Sequence, residues 1–240
     1  MIVPRHSLIV SAQAAPGNPL RGPSFMAAMA QAAAQGGAAA IRAEGVADIA
    51  AIRAVVRLPI IGLIKLDLPA DQVRITTRFE DAAAVVAAGA DMVAVDATGR
   101  RREGPSPREL IARIRAELGR PVLADIATLA EGEAAAAAGA DAVATTLAGY
   151  TAETAGIEGP AIALVQALAA RLSVPVFAEG RYDTPGEVWQ AIAGGAHAVV
   201  VGTAITNPRE ITRRFAAVMP AGRPMDETRT ADGVVGRGGL

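Results

Sequence analysis

The chain contains no cysteine and only two histidines among its 240 residues. The lack of cysteine excludes disulfide bonds, thiolate catalysis and cysteine-ligated metal centres. Aromatic residues make up only 3% of the sequence, although 52% of it is hydrophobic, largely because alanine is abundant. This composition predicts a closely packed aliphatic interior in which helices approach a sheet tightly.

The sequence also lacks a charge excess of either sign, since its formal net charge is −1 and its pI is about 6.2. Binding to nucleic acid or to an anionic membrane would need a marked basic excess. No run reaches the ~18 uninterrupted apolar residues of a membrane span, and the first residues lack the pattern of a secretion signal. We therefore expect a cytoplasmic protein with a small-molecule substrate and neither nucleic acid nor membrane as a partner.

Eight short apolar runs recur along the chain, separated by alanine-rich stretches of helical length. Near-continuous apolar strands are typical of a parallel sheet covered on both faces. Eight strand and helix units predict a single (β/α)8 TIM barrel over residues 1–220, although a doubly wound open sheet would give the same order of elements. Residues 221–240 are rich in glycine and polar residues and are expected to form a mobile tail. The runs are Leu8–Ala12, Ala39–Arg42, Pro59–Lys65, Met92–Asp96, Val122–Asp125, Ala142–Thr146, Val174–Glu179 and Ala198–Gly202.

Capping signals and one long loop interrupt this regular pattern. Thr128 and Thr184 precede helical stretches as N-cap residues, and Pro185 suits the first helical position. The Leu66–Arg78 segment is longer than a usual strand-to-helix connection, and a short strand is expected within it at Val73–Ile75. Such a loop could border an active site.

A phosphate site is expected in the stretch from Pro175 to Pro208. Gly180 and Gly202 each follow an apolar run and precede a helix, so backbone N–H groups and helix N-termini can converge on one phosphate. Arg181 and Thr203, which follow the two glycines, are predicted to bind substrate with them. The first of these strands ends in Glu179, which places a carboxylate beside the expected phosphate site.

Polar residues at the strand ends form the main set of catalytic candidates, because the carboxyl ends of barrel strands carry the active site. Lys65 ends an apolar run that contains no other charge. Partial burial and a cation such as Arg42 would favour its neutral amine and make it a base; the amine could also form a Schiff base. The set comprises Gln13, Arg42, Lys65, Asp96, Asp125, Glu179 and Gly202.

The other members of this set have distinct expected roles. Glu179 is expected to orient Lys65 or to act as a second acid/base group across the substrate. Gln13 and Asp125 are interpreted as ligands for hydroxyl or amide groups. His6 and His197 lie away from the strand carboxyl ends and are interpreted as structural, so no metal site is predicted.

Six motifs in order make the chain resemble the N-acylglucosamine-6-phosphate 2-epimerase family, also called N-acetylmannosamine-6-phosphate 2-epimerases. They are VSAQA around Gln13, GGAAAIRAEG around Arg42, PIIGLIK ending at Lys65, VAVDAT around Asp96, LADIAT around Asp125, and AEGRYDTP followed by VVVGTAITNPREITRRF. The resemblance extends from about Leu8 to Met219.

This resemblance implies a phosphate-binding barrel that interconverts N-acetylmannosamine 6-phosphate and N-acetylglucosamine 6-phosphate in sialic acid and amino sugar catabolism, without a cofactor. Lys65 would remove and return the proton at C2, with Glu179 paired to it. Gln13, Arg42 and Asp125 would hold the sugar and its acetamido group. A homodimer through the alanine-rich outer helices is a further expectation.

One position departs from the family pattern. Asn207 stands where the family has an arginine that helps to bind phosphate, so Arg181 or Arg209 would have to compensate, or the substrate would differ. Two other functions remain open at this point: a Schiff-base lyase or aldolase that uses Lys65, and a catalytically silent sugar-phosphate binder.

Overall fold

A computed structural model describes residues 1–69 and 71–220, so the predicted C-terminal tail lies outside the described residues. Eight parallel strands are hydrogen-bonded in chain order, and β1 also pairs with β8. This closing pair excludes the open sheet and confirms the TIM barrel. The strands are β1 (Ser7–Ala12), β2 (Ala40–Glu44), β3 (Ile60–Leu63), β4 (Met92–Asp96), β5 (Val122–Asp125), β6 (Ala142–Ala144), β7 (Val176–Glu179) and β8 (Ala198–Val201).

Helices follow the strands on the outside of the barrel. They are α1 (Pro23–Gln35), α2 (Val46–Val55), α3 (Phe79–Ala87), α4 (Pro107–Arg113), α5 (Leu129–Ala137), α6 (Ile162–Arg171), α7 (Pro185–Ala193), α8 (Thr203–Thr206) and α9 (Pro208–Ala217). A π-helical turn at Ile114–Leu118 continues α4, and 3₁₀ turns lie at Thr145–Leu147 and Ala152–Thr154. Thr128 and Thr184 cap α5 and α7 in capping boxes, as their positions predicted. Among the described residues, no helix combines the length and apolarity needed to cross a bilayer.

Three predicted strands extend too far at their carboxyl ends. The β3 strand ends at Leu63, so Lys65 lies two residues beyond it and is bridged in antiparallel fashion to Ile75. The chain turns into a 3₁₀ helix directly after β6, and β8 ends one residue before Gly202. The predicted strand at Val73–Ile75 is wrong, because that segment forms only the single bridge at Ile75.

Side chains alternate between the outer and inner faces of the barrel wall, which decides what reaches the site. On β2, Ala40 belongs to the apolar cluster inside the barrel, whereas Ile41 packs outward against the helices. Because strand residues two apart share a face, Arg42 and Glu44 follow Ala40 on the inner side. The same alternation takes the chain from Phe177, which lies inside, to Glu179 at the top of the same inner face.

Candidate active site

A cavity of about 820 Å³ opens at the carboxyl end of the barrel. Its wall contains eight of the ten residues that the sequence assigned to the site: Gln13, Arg42, Lys65, Glu179, Gly180, Arg181, Gly202 and Thr203. The other two lie outside the wall: Asp125 is fully buried behind Arg42, and Asp96 is fully buried with its carboxylate paired with Arg100 at 2.6 Å. The barrel therefore brings together side chains that lie up to 190 residues apart in the chain.

Arg42 forms a buried ion cluster with two carboxylates. Its Nη1 and Nη2 donate to the two oxygens of Asp125 over 2.9 and 2.7 Å, and Nη1 lies 3.0 Å from Glu179 Oε2. Burial tends to lower the pKa of Arg42, but Asp125 and Glu179 raise it above its ordinary value. Asp125 is also bound by the Thr146 hydroxyl at 2.5 Å. Since both its oxygens are engaged, this placement favours a role for Asp125 in holding Arg42 rather than in direct contact with a sugar.

The surroundings of Glu179 shift the pKa of its carboxyl group strongly. Burial raises the pKa of Glu179 to about 7, and the charge of Asp125 raises it too, while Arg42 and Lys65 act in the opposite direction. Among the described residues, its Oε2 is one of few buried side-chain atoms without a hydrogen-bond partner. A carboxyl group with this pKa is suited to exchanging protons near neutral pH. The Thr145 hydroxyl fixes its backbone by accepting from Glu179 N–H at 3.0 Å and donating to Glu179 O at 2.9 Å.

The raised pKa of Glu179 predicts that its ionised form destabilises the folded protein at high pH. Because the folded-state pKa lies above the ordinary value of 4.5, the contribution of Glu179 is fully present below about pH 4.5 and is lost as the pH rises through about 7. The Glu179→Gln variant should therefore be more stable than the wild type by about 3 kcal/mol at pH 8 and by less than about 1 kcal/mol at pH 5. Urea unfolding at both pH values measures this.

Glu117 provides the matched control for that measurement, because it is half exposed and paired with Arg113 on the protein surface. Glu117→Gln should leave the slope of stability against pH unchanged. An equal slope in Glu179→Gln and the wild type would contradict the assignment.

Lys65 lies among polar groups from the two preceding strands. Its Nζ donates to Gln13 Oε1 at 2.6 Å and lies 3.7 Å from Glu44 Oε2. Gln13 is held in turn, because its Nε2 donates to Ser11 Oγ at 2.8 Å. The Lys65 side chain is 48% exposed, and the guanidinium of Arg42 is engaged by carboxylates instead of lying beside the amine.

Lys65 is also the only lysine in the sequence, since the other 22 of its 23 basic Lys and Arg residues are arginines. Arginine cannot lose its proton under physiological conditions, whereas a lysine amine can act as a base. The one side-chain amine that can lose a proton therefore lies at the mouth of the barrel, and every other Lys or Arg position is an arginine. This signal is present in the sequence and identifies Lys65 independently of any motif.

The expected phosphate site lies on the β7 and β8 side of the cavity. Gly180 follows β7 with φ of 110°, a backbone conformation that favours glycine. Gly202 is the N-cap residue of the short helix α8, and Thr203 begins that helix. Loops after strands 7 and 8 together with a short extra helix form the phosphate site of many TIM barrels. Arg181 lines the same cavity, but its guanidinium donates to Ala148 O and Gly159 O.

Asn207, at the position where the family resemblance implies an arginine, caps the helix that follows it. Its Oδ1 accepts from the Glu210 N–H at the start of α9 and from Asn18 Nδ2, both over 3.3 Å. Asn207 therefore acts as an N-cap and ties the β1–α1 loop to α9. Arg209, the other residue expected to compensate at the phosphate site, donates to Gly17 O in that loop over 3.3 Å.

Two site residues were missed by the sequence analysis. Glu44 follows Arg42 by two positions, so strand alternation alone would have placed it on the inner face. Thr146 was included in a predicted strand, but it lies in the 3₁₀ turn after β6 and reaches Asp125 from there.

His197 contacts Val3 O and stacks on Phe177 at the amino end of the barrel, as its structural interpretation predicted. In the described ranges, no group of side chains is arranged to hold a metal ion.

Solved structures of other proteins show the same fold. The N-acetylmannosamine-6-phosphate 2-epimerase from Clostridium perfringens superposes with a TM-score of 0.86 at 42% identity, over 90% of this chain and 95% of that protein. A thiamine phosphate pyrophosphorylase from Pyrococcus furiosus superposes with a TM-score of 0.58 at 15% identity, over 86% of this chain and 90% of that one. The second similarity shows the barrel fold alone.

Sequence comparisons identify the family. The NanE family model, described as "Putative N-acetylmannosamine-6-phosphate epimerase", matches residues 26–221. Proteins named "Putative N-acetylmannosamine-6-phosphate 2-epimerase" from Enterobacter sp. (strain 638) and Thermosynechococcus vestitus are 48% and 49% identical to the chain. These matches cover 89% and 90% of the chain and 93% and 95% of the relatives. The chain therefore belongs to the NanE family of N-acetylmannosamine-6-phosphate epimerases.

Proposed function

We propose that this protein interconverts N-acetylmannosamine 6-phosphate and N-acetylglucosamine 6-phosphate by removing and returning the proton at C2, a step in sialic acid and amino sugar catabolism. The observation that carries the proposal is the placement of the only lysine on one wall of the cavity, with Glu179 and its pKa of about 7 on another wall. The backbone at Gly180 and Gly202 lines the same cavity. Family membership supports this substrate and reaction.

The chemistry of C2 requires several groups to act together. The C2 proton of an acetamido sugar becomes acidic only beside an aldehyde, so the sugar must be held in its ring-opened form. Lys65 takes the proton from C2, the planar intermediate turns about its C2–C3 bond, and Lys65 then gives a proton to the other face of the carbon. Negative charge develops on O1 as an enediolate-like intermediate forms, and a preorganised cation stabilises such charge. Arg42 is suited to this role because Asp125 fixes its guanidinium and its Nε is buried without a hydrogen-bond partner among the described residues.

The remaining groups bind the substrate and move its other protons. Glu179 exchanges a proton with a sugar oxygen as the ring opens and closes, which suits a carboxyl group with a pKa of about 7. Gln13 is within reach of the sugar while it holds Lys65. The amides around Gly180, Gly202 and Thr203 receive the phosphate, with Arg181 on the adjacent wall.

The proposal is tested by incubating the protein with N-acetylmannosamine 6-phosphate in deuterated water. We expect N-acetylglucosamine 6-phosphate carrying deuterium at C2. Absence of both conversion and exchange at high protein concentration would rule the proposal out. Borohydride added during turnover should leave Lys65 unmodified, because a lysine that acts as a base forms no imine, whereas a Schiff-base lyase would be trapped at this residue.

We also propose that the chain forms a homodimer, with α9 as the contact surface in place of the alanine-rich outer helices that the sequence suggested. Within the described residues, α9 buries none of its own side chains, and Phe215, Val218 and Met219 are 69%, 75% and 63% exposed. Exposed apolar groups of this kind are typical of interaction surfaces, and most soluble oligomers are homodimers. Light scattering should give the mass of two chains, and Phe215→Glu should give the mass of one.

A further inference from the structure

Three consecutive strands deliver three polar side chains to one side of the cavity. Gln13 follows β1, Glu44 is the last residue of β2, and Lys65 lies two residues beyond β3. All three line the cavity. Neither the family motifs nor the chemistry described above gives Glu44 a role, although its carboxylate is the charged group paired with Lys65.

The geometry around Lys65 Nζ points to a specific role for this carboxylate. A lysine ammonium has three N–H directions, and a neutral amine has two N–H directions and a lone pair. Gln13 Oε1 occupies one direction at 2.6 Å, and Glu44 Oε2 lies 3.7 Å away on the next strand. The Gln13 Oε1 and the ionised Glu44 Oε2 are both acceptors, so both can remain in place whether Lys65 is protonated or neutral. The direction that remains is available to the substrate.

We propose that Glu44 is a positioning residue that, together with Gln13, holds the Lys65 amine so that its third direction faces C2 of the bound sugar. That direction carries the lone pair when Lys65 removes the proton and the N–H when Lys65 returns it. The inference rests on the proposed epimerase function, because it concerns how the base of that reaction is aimed.

The Lys65 side chain is long and flexible, so neighbouring groups must hold its amine in position at the cavity. The Lys65 side chain is half exposed, whereas Glu44 is only 27% exposed and is fixed at the end of a strand. A misplacement of about 1 Å in a reacting group can cost about a hundredfold in rate. The negative charge of Glu44 is also felt by Asp48 on α2, whose pKa is raised by burial and then by Glu44.

Kinetics of two Glu44 variants test the role in catalysis. Glu44→Ala removes both the charge and the hydrogen-bond acceptor, and we expect kcat to fall about 10- to 100-fold with KM changed less than about threefold. Glu44→Gln keeps an acceptor of the same length and should lose less. Asp48→Asn is the matched control, since Asp48 lies near Glu44 without lining the cavity, and its kinetics should match the wild type.

The acetylation rate of Lys65 tests its contact with Glu44 without requiring catalytic turnover. Because Lys65 is the only lysine, limited acetylation followed by mass spectrometry of its peptide gives the reactivity of this one side-chain amine. Removing the neighbouring negative charge should make Lys65 react about two- to fivefold faster at pH 8 in Glu44→Gln, and not in Asp48→Asn. Equal reactivity of Lys65 in Glu44→Gln and the wild type would show that Glu44 does not hold Lys65.

The two measurements separate this inference from the proposed function. If the wild type converts the sugar phosphate and Glu44→Ala keeps its kcat within twofold, the positioning role is wrong and the epimerase function stands. If the wild type neither converts nor exchanges the substrate, the proposed function fails, and the acetylation rates still decide whether Glu44 holds Lys65. A Glu44→Ala variant that unfolds would be replaced by Glu44→Gln, whose kcat must then fall for the proposal to hold.

Discussion

Lys65→Arg is expected to lower kcat by about 10³-fold while leaving the thermal stability of the protein unchanged. Arginine keeps the positive charge, so it can still donate to Gln13 and pair with Glu44 from this half-exposed position. It cannot accept a proton from C2, because a guanidinium remains protonated at any physiological pH. Positioned acid/base groups contribute about 10²- to 10⁴-fold to a rate. Deuterium incorporation at C2 in deuterated water measures the effect directly.

The matched control is the reverse substitution, arginine to lysine, at a position far from the cavity. Arg171 lies on α6 and pairs with Glu133 on the surface, so Arg171→Lys should leave the exchange rate unchanged. A Lys65→Arg protein that retains more than about a tenth of wild-type exchange would show that another group removes the proton. Such a result would leave the substrate assignment intact and move the base elsewhere in the cavity.

Much of this architecture could be predicted from the sequence because its determinants are local. Apolar runs, helix caps and the glycines after β7 and β8 each act within a few residues, and they gave the barrel and the strand that carries each candidate residue. Errors came at the carboxyl ends of strands, where Lys65 and Thr146 continue an apolar pattern after the backbone has already turned. Hydrophobic residues indicate burial and not strand structure, and the first residue after each of these strands, Ile64 or Thr145, is still partly or fully buried.

What could not be predicted is which side chains pair across the barrel. Arg42 was expected to act beside Lys65, yet it reaches across to Asp125 and Glu179, while Glu44 becomes the partner of Lys65. These pairings depend on the height of each residue along its strand and on the closure of the barrel, which no short stretch of sequence encodes. The role of Asn207 as a helix cap is of the same kind, because it involves Asn18 from the far end of the chain.

The Arg42 cluster gives the second large expected effect, a loss of stability that grows with pH. Arg42→Met removes the only cation bound directly to Asp125 and Glu179 among the described residues. Breaking one side of a buried ion pair costs about 3–5 kcal/mol, because the remaining charge stays buried without compensation. Urea unfolding at pH 8 should show a loss of this size.

The direction of its pH dependence follows from Glu179. Arg42 lowers the pKa of Glu179 against the larger effect of burial, so its removal should raise that pKa further above 7. A carboxyl group whose folded pKa is raised stabilises the protein below its ordinary pKa and loses this contribution as the pH rises through the folded value. The Arg42→Met variant should therefore lose less stability at pH 5 than at pH 8. A loss that is equal at the two pH values would argue for a packing defect instead.

A double variant separates charge from packing in the same cluster. Adding Asp125→Asn to Arg42→Met removes the more deeply buried of the two carboxylates and keeps an amide that Thr146 can still donate to. If uncompensated charge causes the loss, the double variant should be more stable at pH 8 than Arg42→Met alone, because replacing both partners of a buried pair costs less than removing one. Both variants should lack exchange at C2, since neither retains the cation that we propose stabilises the enediolate, so we expect that stability in this cluster can be restored while activity cannot.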